Sequence, residues 1–206
     1  MNNSQQQAGP APVWVAGCRG MLGRGLTEAL DAGGFPWLGT DRECDITDSR
    51  AVETLMRGRR PGWIVNAAAY TAVDKAEDEP DLAMRLNALG AENLARAAAS
   101  GGARLIHLST DYVFDGAASR PYAEEDPVAP LGVYGQTKAE GARRVAAACP
   151  GAVIIRTAWL YGTHGNNFVH TMLRLMGERE RLAVVADQHG TPTGVSSLCR
   201  VICELI

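Results

Sequence analysis

The feature that most restricts the fold of this chain is a glycine turn near its amino end. Residues 13–16 are apolar, contain two valines and predict a β-strand, and Gly17, Gly20 and Gly23 follow directly. Leucines at helical spacing come next and predict a helix. In a strand–turn–helix unit of this kind the backbone can approach a pyrophosphate, which the amino end of the helix attracts. A glycine triplet alone is a weak signal, but its place in the first such turn favours dinucleotide binding.

The remainder of the chain alternates short apolar segments with amphipathic helices. Further strands are predicted at residues 36–39, 63–65, 105–108, 153–155 and 182–185, with helices between them and a last helix over residues 194–206. This alternation predicts an α/β fold with a doubly wound parallel sheet, as in Rossmann domains. We divide the chain into a disordered tail (1–11), an NAD(P)-binding Rossmann domain (12–150), and the final Rossmann elements with part of a substrate-binding region (151–206).

Composition excludes several other classes of protein. With 206 residues, 46% of them hydrophobic, the chain can bury a core of its own. The net charge of -3 argues against binding to nucleic acid or to anionic membranes. No apolar stretch approaches the roughly 20 residues needed to cross a bilayer. Five cysteines without metal-ligand spacing suggest thiols of a reducing cytosol and no metal site. We therefore expect a soluble, cytoplasmic protein.

Two segments that follow predicted strands are candidates for contact with the cofactor. Asp41 lies 18 positions beyond Gly23, where an acid can accept hydrogen bonds from the adenosine ribose of NADH. Arg42 beside it could instead meet the 2'-phosphate of NADPH, so the choice of cofactor stays open; a simple charged loop is the alternative. Residues 66–70 include three alanines, which either let a flat ligand lie against the backbone or serve helix–sheet packing.

A tyrosine and a lysine in the second half of the chain form a candidate catalytic pair. Tyr134 and Lys138 are four residues apart in a segment of helical composition, which places the phenol and the ammonium on one face. A nearby cation stabilises the phenolate, so the tyrosine becomes a usable general acid for a carbonyl. The strand at residues 105–108 runs into Thr110 at its carboxyl end, where open α/β sheets bind ligands. The alternative is an ordinary pair on a helix surface.

Asn87 falls within a long helix that is predicted to start at residue 80 and to end at residues 101–102. It lies on or near the apolar stripe of that helix, and a buried asparagine needs hydrogen-bond partners. We consider two possibilities for it. The side chain either ties backbone groups together near the site or sits at the polar edge of the stripe.

Several longer segments resemble a known enzyme family. They are residues 17–23, 66–77, 109–116, 130–138, 156–162, 166–168 and 187–193. Together they resemble the dTDP-4-dehydrorhamnose reductases, which are extended short-chain dehydrogenases/reductases, and the resemblance runs from residue 13 to the end. It implies reduction of the C4 keto group of dTDP-4-dehydro-L-rhamnose to give dTDP-L-rhamnose, an oxidoreductase step of nucleotide-sugar and polysaccharide biosynthesis. The cofactor would be NADPH or NADH, and a homodimer is left open.

The resemblance also implies roles for individual residues. Tyr134 would give a proton to the carbonyl oxygen, Lys138 would lower the tyrosine pKa and hold the nicotinamide ribose, and Thr110 would orient the carbonyl. Asp111 and Tyr112 would line the sugar side, and Trp159 is either a platform for the sugar or a core residue. The candidate cofactor-binding residues are Gly17, Arg19, Gly20, Met21, Leu22, Gly23, Asp41, Arg42, Asp45, Ile46, Asn66, Ala67, Ala68, Ala69, Tyr70 and Lys138.

Members of this family extend well beyond the position of Ile206, so the resemblance implies that part of the sugar-nucleotide lobe is absent from this chain. Two other functions remain possible on the same fold. One is a non-catalytic, NADP-binding regulatory subunit like the β subunit of methionine adenosyltransferase, and the other is a nucleotide-sugar epimerase. The segments at residues 156–159 and 187–193 favour the reductase over the regulatory subunit.

Overall fold

The computed structural model of the protein describes residues 10–206. Most of the predicted disordered tail, residues 1–9, lies outside the described residues. The main strands are β1 (Val13–Ala16), β2 (Trp37–Thr40), β3 (Trp63–Asn66), β4 (Arg104–Thr110) and β5 (Val153–Thr157). They form one parallel sheet in the order β2-β1-β3-β4-β5, which confirms the predicted fold class. The direction of winding reverses beside β1, and open α/β sheets bind ligands at such a point.

Helices cover both faces of this sheet. They are α1 (Met21–Ala32), α2 (Ser49–Arg59), α3 (Val73–Ala76), α4 (Pro80–Met84), a π-helix (Arg85–Gly90), α5 (Ala91–Gly101), α6 (Val133–Ala148), α7 (Phe168–Glu178) and α8 (Val195–Leu205). Helices α1 and α8 pack against each other on one face, while α2, α5 and α6 pack in sequence on the other. The long helix predicted to begin at residue 80 is confirmed, with a π-helical segment between α4 and α5.

The core consists of two apolar layers that share the sheet. Along β1, Val13 and Val15 face α1 and α8, whereas Trp14 and Ala16 face the α2–α5 side. All four residues are buried, as expected for a strand covered by helices on both faces. The indole Nε1 of Trp14 donates to the Thr40 hydroxyl at 2.9 Å, so the one polar group of this buried side chain is satisfied.

The strand predicted at residues 182–185 is wrong. This segment has no regular structure, and Val184 and Val185 are 50% and 66% exposed. An apolar run becomes a strand only where a neighbour accepts its main-chain hydrogen bonds, and within residues 10–206 no strand pairs with it. A second parallel sheet forms instead between β6 (Leu160–Tyr161) and β7 (Thr193–Gly194), which flank this region in the sequence.

The last two helices differ in how they use their apolar faces. Helix α8 buries Val195, Leu198, Cys199 and Ile202, and the helix predicted for the last segment is confirmed. Helix α7 is also present where the sequence predicts it, but it buries none of its residues, and Phe168 is 63% exposed. Within residues 10–206, no helix is both long enough and apolar enough to span a membrane.

Candidate active site

The glycine turn brings β1 and α1 very close to the loop that follows β3. Gly17 has φ +82°, and a Cβ atom there would lie 2.7 Å from the main-chain nitrogen of Ala68. A Cβ atom on Gly23 would collide with the main chain of Gly17. The N-cap residue of α1 is Gly20, which has no side chain to accept from the first N–H groups of the helix. The first turn of α1 also contains no acidic residue. Backbone N–H groups at this helix start therefore suit an anion such as a pyrophosphate.

Charged groups at the end of β2 lie beside this turn. A carboxylate oxygen of Asp41 accepts a hydrogen bond from the main-chain nitrogen of Arg19 at 3.3 Å. The guanidinium of Arg19 lies 3.4 Å from the carboxylate of Glu43, and the side chain of Arg42 is exposed. The structure thus brings the candidate ribose acid to the glycine turn, and the candidate phosphate cation, Arg42, is adjacent to that acid in the sequence. Glu43 is a member of this cluster that the sequence interpretation did not single out.

Two other candidate cofactor residues, Ile46 and Leu22, are buried, whereas Asp45 is exposed. Ile46 is 5% exposed and packs against Gly90, and its carbonyl accepts a hydrogen bond from Asn93 at 2.9 Å. Leu22 is 8% exposed, so its side chain belongs to the core under α1. Asp45 is exposed, and its carboxylate accepts from the Thr47 nitrogen at 2.8 Å. A cofactor role for Ile46 or Leu22 would thus have to use main-chain atoms.

Two buried asparagines hold the loop at residues 66–70. The side-chain oxygen of Asn66 accepts from the Ala68 nitrogen at 3.1 Å. The side chain of Asn87 accepts from the Tyr70 nitrogen at 2.8 Å and donates to the Tyr70 oxygen at 3.1 Å. Of the two possibilities considered for Asn87, the first is therefore confirmed, because the side chain ties backbone groups together next to the glycine turn.

The Tyr134–Lys138 pair is not an ordinary pair on a helix surface. Both residues lie on α6, but Lys138 is only 3% exposed, and its ammonium donates to the main-chain oxygen of Leu108 at 2.5 Å. Thr110 ends β4, and its hydroxyl donates to the carboxylate of Asp111 at 3.0 Å. The ring of Tyr134 makes an edge-on contact with the ring of Tyr112, with centroids 5.5 Å apart. The predicted catalytic residues thus gather at the carboxyl end of β4.

Burial dominates the electrostatics of this site. It lowers the pKa of Lys138 to about 8, because desolvation penalises the charged form. Burial also raises the pKa of Tyr134; a hydrogen bond with Thr110 opposes this shift, and the charge of Asp111 adds to it. In this structure the phenol of Tyr134 is therefore protonated at neutral pH. The implied lowering of its pKa by Lys138 stays a prediction.

A buried histidine next to the lysine was missed by the sequence interpretation. His107 lies in the apolar strand β4, and its Nδ1 is 3.1 Å from the side-chain nitrogen of Asn66. Since the oxygen of Asn66 already accepts from Ala68, the network assigns an acceptor role to Nδ1 and the proton to Nε2. Burial first, and then the charge of Lys138, keep the pKa of His107 well below its ordinary value, so the ring is neutral. A histidine within an otherwise apolar strand was the available signal.

The residues predicted to line the sugar side are exposed. Tyr112 is 45% exposed and Trp159 44%, so Trp159 is not a core residue. Trp159 has φ +47°, a left-handed conformation that is uncommon for a bulky residue. A Cβ atom on Gly190 would lie 2.8 Å from the indole, which places the segment before β7 directly against the ring. The indole is therefore held in position while much of its surface remains open.

The chain as a whole is similar to known proteins. The family model of the RmlD substrate binding domain matches residues 11–206. The chain belongs to this family. A dTDP-4-dehydrorhamnose reductase of Streptomyces griseus is 49% identical over 199 residues, which cover 95% of this chain and 66% of that protein. The enzyme of the same name from Escherichia coli is 47% identical, and the match covers 64% of that protein.

Solved structures of the RmlD family have the same fold. A dTDP-4-dehydrorhamnose reductase of Clostridium acetobutylicum matches with a TM-score of 0.91 and 45% identity over 94% of this chain and 69% of its own. That of Bacillus anthracis, in complex with NADP, matches with a TM-score of 0.92 and 43% identity over 95% of this chain and 70% of its own. The chain thus spans about two thirds of the length of these relatives.

Proposed function

We propose that this chain carries the cofactor-binding and carbonyl-reducing part of a dTDP-4-dehydrorhamnose reductase. The observation that carries the proposal is the buried Lys138 one helical turn from Tyr134, beside Thr110 and at the same edge of the sheet as the glycine turn. An ammonium held at 3% exposure, with no carboxylate of residues 10–206 as its hydrogen-bond partner, destabilises the fold, which favours a functional reason for its position. Family membership supports the same reaction.

The residues present fit a nicotinamide dinucleotide, since the glycine turn forms a cradle that a Cβ atom would fill. The backbone of Gly17–Gly23 and the start of α1 would hold the pyrophosphate, Asp41 or Arg42 the adenosine ribose, and Lys138 the nicotinamide ribose. When bound, NADPH or NADH supplies the hydride. The Bacillus anthracis relative in complex with NADP supports this class of cofactor.

The reduction itself needs one hydride and one proton. The hydride adds to C4 of the substrate, the carbonyl double bond becomes a single bond, and the oxygen takes the proton of the Tyr134 hydroxyl. Thr110 would orient the carbonyl oxygen through its own hydroxyl. The charge of Lys138 would stabilise the phenolate that Tyr134 becomes, and solvent would then restore the proton.

The substrate assigned here is dTDP-4-dehydro-L-rhamnose, and the product is dTDP-L-rhamnose. Asp111, Tyr112 and Trp159 would line the sugar side; the exposure of the two aromatic rings supports this assignment. We also propose the domain division at residue 150, a cytoplasmic location and a homodimer. The homodimer follows from the family resemblance.

The proposed function can be tested with the purified 206-residue chain. Binding of NADPH and NADH is measured by nicotinamide fluorescence, and turnover by the loss of nicotinamide absorbance on addition of dTDP-4-dehydro-L-rhamnose. We expect oxidation of the cofactor in a one-to-one ratio with dTDP-L-rhamnose. Tight cofactor binding with no oxidation, both by this chain and by a chain extended over the full length of the relatives, would contradict the reductase and would favour a regulatory protein. Interconversion of sugar epimers without net loss of cofactor would indicate an epimerase.

A further inference from the structure

A buried hydroxyl lies within the catalytic helix, between the two residues of the proposed pair. Thr137 is 1% exposed. Its hydroxyl donates to the main-chain oxygen of Tyr134 at 2.9 Å and accepts from the side-chain nitrogen of Asn87 at 3.0 Å. A helical threonine can satisfy its hydroxyl within its own helix alone, so the second bond is the informative one. It joins α6 to a residue 50 positions away in the sequence.

Asn87 extends this connection to the cofactor loop. It lies in the π-helix Arg85–Gly90 and is 1% exposed. Its side-chain oxygen accepts from the main-chain nitrogen of Tyr70, and its side-chain nitrogen donates to the main-chain oxygen of Tyr70. The main-chain oxygen of Asn87 is so close to α6 that a Cβ atom on Gly141 would collide with it. Short π-helical segments are rare and often occur at functional sites. Here the segment places one side chain between α6 and the end of β3.

The loop that Asn87 holds is the one that meets the glycine turn. Tyr70 ends this loop, Asn66 begins it, and Ala68 between them lies against Gly17. A continuous series of contacts, buried at Thr137 and Asn87 and partly buried from Tyr70 onward, therefore runs from the Thr137 hydroxyl to the cofactor turn. Thr137 and Asn87 are each 1% exposed, so solvent does not compete for the bond between them.

We propose that Thr137 is a positioning residue that fixes the catalytic helix relative to the dinucleotide site. The inference rests on the proposed function, but Thr137 contacts neither the reacting atoms nor the cofactor in it. Its hydroxyl holds Asn87, Asn87 holds Tyr70, and the loop at residues 66–70 sets where the nicotinamide lies relative to Tyr134 and Lys138. Hydride transfer requires this distance to be right to within a fraction of an ångström.

Thr137→Val tests the proposal, because valine keeps the shape of threonine but leaves the side-chain nitrogen of Asn87 without its acceptor. We expect the NADPH dissociation constant to rise about five-fold or more, as for a buried donor left unpaired. We also expect kcat at saturating NADPH and substrate to fall about ten-fold or more, because misplacement persists in the filled site. Thr137→Ser restores the hydroxyl and should return both quantities to within about two-fold of the parent.

Ser100→Ala is the matched control, since it removes a hydroxyl that bonds within its own helix, to the oxygen of Arg96 at 2.8 Å, at the far end of α5. It should leave both quantities unchanged. Equal binding and turnover by Thr137→Val and the parent would overturn the proposal. So would a Thr137→Ser variant as impaired as Thr137→Val, because packing of the methyl group would then be responsible. If the parent binds NADPH but does not turn over, the proposed function fails, while the comparison of binding still decides the role of Thr137.

Discussion

The ammonium of Lys138 donates its hydrogen bond to the main-chain oxygen of Leu108, a neutral acceptor, at a point where the side chain is 3% exposed. This contact fastens α6 to the carboxyl end of β4. It also leaves the positive charge uncompensated by a hydrogen-bonded carboxylate, so desolvation lowers the pKa of Lys138 to about 8. A charge kept in such a place destabilises the fold.

The first prediction concerns the effect of this buried charge on the free energy of unfolding. The unfolded chain holds the Lys138 proton up to its ordinary pKa of 10.5 and the folded chain only up to about 8, so the unfolded state binds more protons between these values. The contribution of Lys138 to the free energy of unfolding therefore rises with pH across that window, by about 3 kcal/mol in total. Below pH 8 the group opposes folding fully.

Urea denaturation of the parent and of Lys138→Met between pH 7.5 and 10 measures this effect. The free energy of unfolding of the parent minus that of the variant should increase with pH. Other titrating groups are common to both proteins and cancel in the difference. A difference that does not change with pH would contradict the desolvated ammonium.

The proton donor can be tested separately from cofactor binding. Tyr134→Phe removes the phenol hydroxyl and keeps the ring, which makes an edge-on contact with Tyr112. We expect turnover to fall by about 10²–10⁴-fold, while the NADPH dissociation constant stays within about two-fold of the parent. Tyr161→Phe is the control, because it removes the hydroxyl of an exposed tyrosine on β6 that has no assigned role in the site, and it should retain the turnover of the parent. Equal turnover by Tyr134→Phe and the parent would exclude the assigned role.

Much of the fold and the outline of the site could be predicted from the sequence. The glycine turn, the buried strands and Tyr134-x-x-x-Lys138 are local patterns, and local periodicity reveals which face of an element is buried. The pairing of Asn87 with Thr137 spans 50 positions and depends on how two helices pack. The sequence indicated that Asn87 needs partners, but it could not say which. The strand predicted at residues 182–185 was wrong for a related reason, since a strand forms only where a neighbouring strand pairs with it.

The glycine turn gives a prediction with an internal control. Gly17 and Gly34 both have positive φ, of +82° and +70°. A Cβ atom on Gly17 would lie 2.7 Å from Ala68, whereas a Cβ atom on Gly34 would have no neighbour within 4 Å among residues 10–206. Gly34→Ala should therefore cost only the backbone strain, about 1 kcal/mol of unfolding free energy. Gly17→Ala should cost more than this and should abolish NADPH binding. Equal effects on stability and binding in thermal denaturation and fluorescence titration would contradict the close approach.

The preference between cofactors should depend on Glu43. Its carboxylate lies 3.4 Å from the guanidinium of Arg19, and Arg42, which is exposed, precedes it in the sequence. Glu43 therefore competes with a 2'-phosphate of the cofactor for these positive charges. Glu43→Gln should tighten NADPH binding about two- to three-fold, since the pair is exposed to solvent and its attraction is weak, and should leave NADH binding unchanged. Arg42→Ala should act in the opposite direction. Parallel titrations at low salt check both; an equal shift for NADH and NADPH would exclude a contact with the 2'-phosphate.

Helix α7 provides the last prediction, because its apolar residues contribute little to the stability of this chain. Leu173 is 60% exposed, whereas Leu26 on α1 is fully buried in the layer shared with α8. Leu26→Ala should lower the free energy of unfolding by about 2–5 kcal/mol, since it leaves a cavity in the core. Leu173→Ala should change it by less than about 0.5 kcal/mol, as at other surface positions. Urea denaturation of the two variants measures the contrast. A large loss on Leu173→Ala would mean that α7 packs against another part of the molecule in solution.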